Sequence, residues 1–296
     1  MSVPAAYAGL ILIWATTPLG IKWSGEGVGF LFGVAGRMVI SLVICLLLVA
    51  LFSRRMRWHR AAFMTYLVAG LGMWAAMTGV YWGAQQIPSG LVSVLFGLTP
   101  VVTGWMAAVW LHEPVFTPFR VLGMLLGLTG LVVIFGQAPA FGQSALWGML
   151  AILGSVAAHS LSMVLVKRLG ERTPPLETTT GALIVAVPLY LLTWWAGDGQ
   201  WPDDVSQRTL SSILYLAVFG SVLSFTLYFY VLRHSLASRV ALVTLVTPVI
   251  ALVIGQWLNG EAVTAREWMG ALVIMAGLAS YQWGDGWRRG RSAATN

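Results

Sequence analysis

The sequence predicts an all-α membrane protein: ten transmembrane helices arranged as two inverted five-helix repeats. Three observations predict it. Apolar residues make up 58% of the 296 residues and charged residues only 9%, against roughly 25% charged in a soluble domain. The apolar residues are gathered into ten runs, each long enough for the ~20 residues a spanning helix needs. Finally, the second half of the chain repeats features of the first at an offset of 148 residues.

The runs cover 4–22, 28–51, 61–84, 89–111, 118–136, 144–166, 178–197, 209–232, 237–258 and 265–283. Lipid offers backbone groups no hydrogen-bond partner, so each run reads as a helix whose bonds close within the segment. The mean hydropathy of +0.82 leaves no stretch for a soluble domain. Short polar joints separate the runs, and two carry helix-start chemistry. Thr117-Pro118 sets a capping hydroxyl before a first-turn proline, and Thr264-Ala265-Arg266-Glu267 has capping-box spacing. The first 20 residues hold no Lys or Arg, so they read as a retained first span rather than a secretory leader. Cys45 is the single cysteine, which removes disulfide frameworks and cysteine-based metal sites.

Basic residues in short joints set orientation. One alternating set of joints carries thirteen of the 17: Arg54, Arg55, Arg57, Arg60, Arg120, Lys167, Arg168, Arg172, Arg233, Arg239, Arg288, Arg289 and Arg291. The other set carries three, Lys22, Arg208 and Arg266, and Arg37 lies inside a span. Both termini are therefore expected on the cytoplasmic side of a cell's inner membrane. The net charge of +7 is a topology signal and gives no nucleic-acid surface.

At the 148-residue offset Thr99-Pro100-Val101 falls on Thr247-Pro248-Val249, Glu113 on Glu261 and Thr78 on Thr226. Tyr81-Trp82 falls on Phe229-Tyr230, and after one dropped residue Gly123 and Gly130 meet Gly270 and Gly277. Residues 1–137 and 144–284 thus form two copies of one unit, with 285–296 as a basic cytoplasmic tail. Five helices per copy is an odd number, so the second copy is inverted. Inverted repeats place a site between them near the middle of the bilayer and allow openings to either side in turn.

These residues resemble a known family. Tyr81-Trp82-Gly83-Ala84, Ser89-Gly90-Leu91, Thr99-Pro100-Val101, Leu111-His112-Glu113-Pro114, Gly123 and Gly130 are similar to the second half of an EamA domain. So are Tyr228 through Ala237-Ser238, Thr247-Pro248-Val249, Gly260-Glu261 and Gly270-Ala271-Leu272-Val273-Ile274, while Trp14-Ala15-Thr16-Thr17-Pro18 with Ile21-Lys22 resembles the family's first helix. Two tandem copies cover the chain, as in a ten-helix member of the drug/metabolite transporter superfamily. His112 and Pro114 depart from the pattern around the first glutamate. The resemblance implies a bacterial inner-membrane carrier, often an exporter of amino acids or related metabolites.

Several residues are candidates for a substrate cavity. Proline inside a helix removes a backbone hydrogen bond and frees a carbonyl one turn back, so Thr99, Pro100, Thr247 and Pro248 read either as gating bends at a cavity or as packing kinks relieved by the threonine hydroxyl. Arg37, about ten residues into span two, either faces a cavity or snorkels to the interface in a structural role. His159 sits mid-span among Ser155, Ser160 and Ser162, as a buried neutral group or a proton-linked one. Trp14, Thr17, Tyr81, Trp82, Trp105, Tyr228 and Tyr230 could line an amphipathic pocket, whereas Trp58, Trp147, Trp201, Trp268, Trp283 and Trp287 fit interface belts.

All ten acidic residues fall in joints or at span ends, so a carboxylate-based proton or sodium site has no support. Glu113 and Glu261 read most simply as caps. No metal, phosphate-loop or nucleophile motif is present, and no cofactor is expected. The expected function is secondary transport: export of small metabolites such as amino acids by alternating access, with the lipid bilayer and a small-molecule substrate as partners. An uptake or facilitated carrier, an intramembrane enzyme and a non-transporting sensor are the alternatives. An enzyme would need a mid-span catalytic constellation, and a sensor an output domain. A monomer and a homo-oligomer both remain open.

Overall fold

The computed structural model describes residues 2–52, 56–111, 117–135, 143–170, 173–197, 199–235 and 243–294. Arg54, Arg55, His112, Glu113, Pro114, Arg172, Asp198, Ala237, Ser238 and Arg239 lie outside the described residues. Ten helical units follow the ten apolar runs: α1 Val3–Ser24, α2 Phe30–Phe52, α3 Arg60–Ala84, α4 Ser89–Leu111, α5 Pro118–Phe135, α6 Gln143–Leu169, α7 Pro175–Gly197, α8 Gln207–His234, α9 Val243–Asn259 and α10 Ala265–Ala294. Seven of these, α1 to α4 and α6 to α8, are long and apolar enough to cross a membrane by length and composition. Among the described residues α5 and α9 contribute shorter apolar stretches. Helix α10 continues to Ala294, through the stretch set apart in sequence as a tail.

Local chemistry explains the helix starts. Ser206 caps α8 by accepting from the Thr209 amide at 3.1 Å. At α10 the Thr264 amide donates to Glu267 at 2.5 Å and the Glu267 amide to the Thr264 hydroxyl at 3.3 Å, the reciprocal capping box expected from the spacing. The α1–α2 turn is made by Gly27 and Gly29, whose φ values of 74° and 78° only glycine adopts without strain.

The two halves run in opposite senses. Lys22 at the end of α1 meets Glu261 just beyond α9, Trp23 meets Asn259 at the end of α9, and Arg208 and Thr209 at the start of α8 meet Glu26. Lys167 at the end of α6 instead meets Leu232 and Ser235 at the end of α8. The first helix of each repeat therefore ends on an opposite face of the bundle.

Packing repeats the same relation. Helices α5 and α10 form one extensive interface, with few contacts to the other eight helices. A Cβ on Gly277 would stand 2.7 Å from the Gly123 carbonyl oxygen, and one on Gly123 would strike the Gly277 carbonyl. Gly130 and Gly270 are paired in the same way, at 2.7 and 3.0 Å. Since Gly123 corresponds in sequence to Gly270 and Gly130 to Gly277, each glycine faces the counterpart of the other. That reciprocity is the mark of a two-fold axis. Close glycine contacts suit lipid, where helix association relies on close packing. Helices α3 and α6 use the same device, with Gly72 against Ser162, Gly79 against Ser155 and Gly83 against the Gly148 carbonyl.

Candidate functional site

A cavity lies between the repeats, bounded by α1, α2, α3 and α4 from the first and α6, α8 and α9 from the second. Its volume is about 80 Å³, small beside the ~300–1,000 Å³ of open small-molecule pockets. Trp14, Thr17, Arg37, His159 and Thr247 line it.

An aromatic cluster from four helices stands at the cavity, with Trp14, His159 and Phe96 on its wall and Tyr228, which does not line it, packed against the first two. Trp14 meets His159 edge to face with ring centres 6.1 Å apart, His159 lies 5.4 Å from Tyr228, and Tyr228 lies 6.0 Å from Trp14. Phe96 of α4 completes it at 6.4 Å from His159. The Thr17 hydroxyl donates back to the Ile13 carbonyl at 2.8 Å, so it presents its methyl group and an acceptor oxygen.

The charged wall is Arg37, 1% exposed. Its Nε donates to Ser221 Oγ at 2.7 Å, Nη2 to the Gly220 carbonyl at 2.5 Å and Nη1 to the Tyr81 hydroxyl at 3.4 Å. Gly220 and Ser221 fall in Leu216–Leu223, a π-helical stretch inside α8. The wider winding turns these groups toward α2, and such insertions are common at functional sites. The Gly220 carbonyl also accepts from Ser224 at 2.6 Å. Ser41 ties the two helices one turn away, donating to Arg37 and Ala217 carbonyls at 2.6 and 3.2 Å. Arg37 therefore sits deep in the bundle and does not snorkel to an interface.

The Thr-Pro pairs differ from the expectation. Helix α4 breaks at Gly97-Leu98, and Pro100 falls in the first turn of the segment Thr99–Leu111, where its missing N–H costs little. The carbonyl expected to be freed is Phe96 O, and Thr99 Oγ1 donates to it at 2.6 Å. Thr99 and Pro100 are buried but do not line the cavity. In the second repeat Pro248 lies inside a continuous α9, and Thr247 lines the cavity.

Three aromatic candidates also stand elsewhere. Trp105 is half exposed on the outer surface of α4. Trp82 lines a separate shallow apolar groove between α2, α3 and α7. Tyr230 stacks on His234 one turn further along α8, with centres 4.4 Å apart. Each faces away because a helix turns 100° per residue, and neighbouring aromatics on one run cannot share a face. The cavity instead recruits Pro18, Met77, Ser93, Phe96 and Phe225. Pro18 and Ser93 were visible as a helix-interior proline and a polar group in an apolar run; the other three carry no sequence signal beyond hydrophobicity.

At one end of the bundle the repeats are latched. Glu261 Oε1 accepts from Lys22 Nζ at 3.1 Å and from Asn259 Nδ2 at 2.9 Å, while Oε2 accepts from the Ser89 amide at 2.8 Å and the Ser89 hydroxyl at 2.9 Å. Asn259 in turn accepts from the Trp23 indole at 2.9 Å. Glu261 therefore caps α4 of the other repeat, and the capping of its own following helix falls to Glu267. Burial pushes its pKa up, but the Lys22 ammonium and the bonds from Ser89 and Asn259 outweigh that and hold the carboxyl below its ordinary value.

Two inverted helical repeats closing on a shared apolar cavity with one buried charge define a multi-pass membrane protein of the carrier type. Residues 5–136 and 146–281 both match the EamA-like transporter family, and the chain belongs to that family. It is similar to an uncharacterized transporter of Archaeoglobus fulgidus, 23% identical over 90% of this chain and 94% of that protein. It is 27% identical to the uncharacterized transporter YvbV of Bacillus subtilis, over 66% of this chain and 64% of that one. A third relative is the S-adenosylmethionine/S-adenosylhomocysteine transporter of Chlamydia trachomatis, 25% identical over 84% of this chain and 80% of its own. A solved protein structure superposes over 95% of this chain and 98% of its own with a TM-score of 0.70 at 18% identity, a likeness of fold.

Proposed function

We propose that the protein is a secondary carrier of the inner membrane, with both termini cytoplasmic, that exports small metabolites such as amino acids or related amphipathic compounds by alternating access. The observation that carries this reading is a cavity shared by both repeats and latched at one end by Lys22, Glu261 and Ser89. On the proposed topology that end faces away from the cytoplasm, so the structure corresponds to the conformer closed to the outside. Two repeats related by a two-fold axis can exchange roles, giving the opposite conformer without a new fold. The relative named for S-adenosylmethionine supports an amino-acid-derived substrate class. The proposed partners are the bilayer and one small organic solute, with no nucleic acid, and a single chain holds the whole cavity.

The test is a thermal-shift screen of the purified protein over amino acids, nucleobases and sugars. Hits are then followed by flux from proteoliposomes with and without a pH gradient. A compound that stabilises the protein and crosses the membrane supports the carrier. A chemically altered product, with no net movement, replaces it with an enzyme.

A further inference from the structure

We propose that the cavity selects organic monoanions: the substrate docks a carboxylate on Arg37 and lays a flat apolar body against Trp14, Phe96 and His159. This rests on the carrier reading but departs from its amino-acid example, taking from the related amphipathic compounds the acids without an ammonium group.

The guanidinium is always charged and has five N–H donors. Ser221, Gly220 and Tyr81 take three, leaving one N–H on each terminal nitrogen without an acceptor among the described residues. No Asp or Glu among the described residues lies within ion-pair distance of it. The acids nearest in the topology, Glu26 and Glu261, stand at the latched end and are paired with Arg208 and Lys22. A buried charge without a counter-ion is costly and normally marks a functional site. The protein nevertheless builds a holder for it, since the π-helical stretch of α8 presents a carbonyl and a hydroxyl to Arg37 and keeps its side chain at the cavity wall. Held but not neutralised, the cation lacks only an anion, and paired N–H groups are suited to the two oxygens of a carboxylate.

The same walls argue against other charge types. A cation would meet Arg37 with no carboxylate to receive it. A free amino acid would leave its ammonium without an anionic partner, so acids lacking that group are preferred over zwitterions. Apart from the hydroxyls of Thr17, Ser93 and Thr247 the rest of the lining is aromatic and aliphatic, so most of the remaining solute is apolar.

The experiment uses the full-length purified protein with indole-3-acetate, indole-3-acetamide, tryptophan and tryptamine, and with phenylacetate, phenylacetamide and phenethylamine. Thermal unfolding reads binding, and proteoliposome counterflow reads movement. The acids should stabilise the protein, and the amides, amines and tryptophan should do so far less. Arg37→Gln should weaken acid binding roughly tenfold or more, while Arg37→Lys retains part of it. Gly220→Ala provides a variant that keeps every charge: its Cβ would stand 3.0 Å from Arg37 Nη2, displacing the guanidinium and weakening the acids selectively. Equal stabilisation by acid and amide, or unchanged preference in Arg37→Gln, overturns the proposal. If an amine or amide binds and moves instead, the carrier stands and the anion site falls. If none of these compounds binds or moves, the anion site falls and the carrier reading is decided by the wider screen.

Discussion

Trp14 and His159 face each other at 6.1 Å across the middle of the bundle, and each stands eight residues before the lysine that ends its helix, Lys22 in α1 and Lys167 in α6. Each belongs to the first helix of its repeat, so the two repeats meet through these rings. The cavity beside them is lined by both repeats. The two lysines, by contrast, are carried to opposite ends, where Lys22 binds Glu261 and Lys167 donates to the carbonyls of Leu232 and Ser235 at 2.9 and 2.7 Å. The lysines of the two first helices thus serve two different fastenings in a single conformer. Such unequal use is what distinguishes a closed end from the other end in a molecule whose halves are alike.

The glycine contacts between α5 and α10 predict a position-specific effect of alanine. Gly123→Ala and Gly277→Ala force a methyl group against backbone that cannot yield, and each should lower stability by about 1–3 kcal/mol. Gly154→Ala meets nothing within 4 Å in the interior of α6 and should stabilise by up to ~1 kcal/mol. Thermal unfolding in one detergent reads all three. A destabilised Gly154→Ala together with neutral Gly123→Ala would contradict the packing.

The latch predicts which changes open the far end. Glu261→Gln removes the charge that Lys22 pairs with and weakens the bonds from Ser89, and should cost about 1–3 kcal/mol. A cysteine placed at the cavity residue Ser93 should then react faster with a membrane-impermeant maleimide. Exchanging the pair, with Glu at 22 and Lys at 261, should not restore protection, since a lysine cannot accept from the Ser89 amide. Full recovery in the exchanged protein would mean that the ion pair alone holds the end closed.

Acid should open the same latch, and the direction follows from linkage. The Glu261 carboxyl has a depressed pKa in the folded protein, so its contribution is fully present above the ordinary value of 4.5 and is lost as pH falls through the lower folded value. Labelling at Ser93→Cys, divided by that of an exposed reference thiol at the same pH to remove the loss of thiolate, should therefore stay flat from neutral pH down to about 5 and rise only below 4.5. In Glu261→Gln this rise should vanish. A transition near pH 6 would point to a different group.

Span number and inversion were legible because lipid enforces them: every run must be helical and apolar, and a repeat of five helices must invert, whereas the four paired glycines were legible only as markers of the repeat. Arg37 and His159 were legible for the same reason, as polar groups in an apolar run. What was hidden depends on rotation about a helix and on partners from the other repeat. Trp82 and Tyr81 are adjacent in sequence, yet Tyr81 is fully buried beside Arg37 and Trp82 faces outward. Glu261 read as a cap, but its partner Ser89 is 172 residues away. The π-helical stretch has no compositional signature, since a single wide turn alters no residue preference. Glu113, the counterpart of Glu261, lies outside the described residues.

The two Thr-Pro pairs, alike in sequence, should respond differently to mutation. In α4 the helix is already broken at Gly97-Leu98, so Pro100→Ala returns an N–H that the first turn of a helix leaves unpaired anyway. Its effect on stability and flux should be small. Thr99→Val at the same break removes the donor to Phe96 O and leaves a buried carbonyl unsatisfied, which should cost about 1–3 kcal/mol. In α9 Pro248 stands inside a continuous helix beside Thr247 on the cavity wall. There Pro248→Ala restores a backbone bond and stiffens the helix where the cavity must change shape, so the protein should become more stable while counterflow slows. Equal effects of the two alanines would show that both prolines act alike despite their different places in the helix. A Pro248→Ala protein that is both stable and fully active would remove α9 from the moving parts.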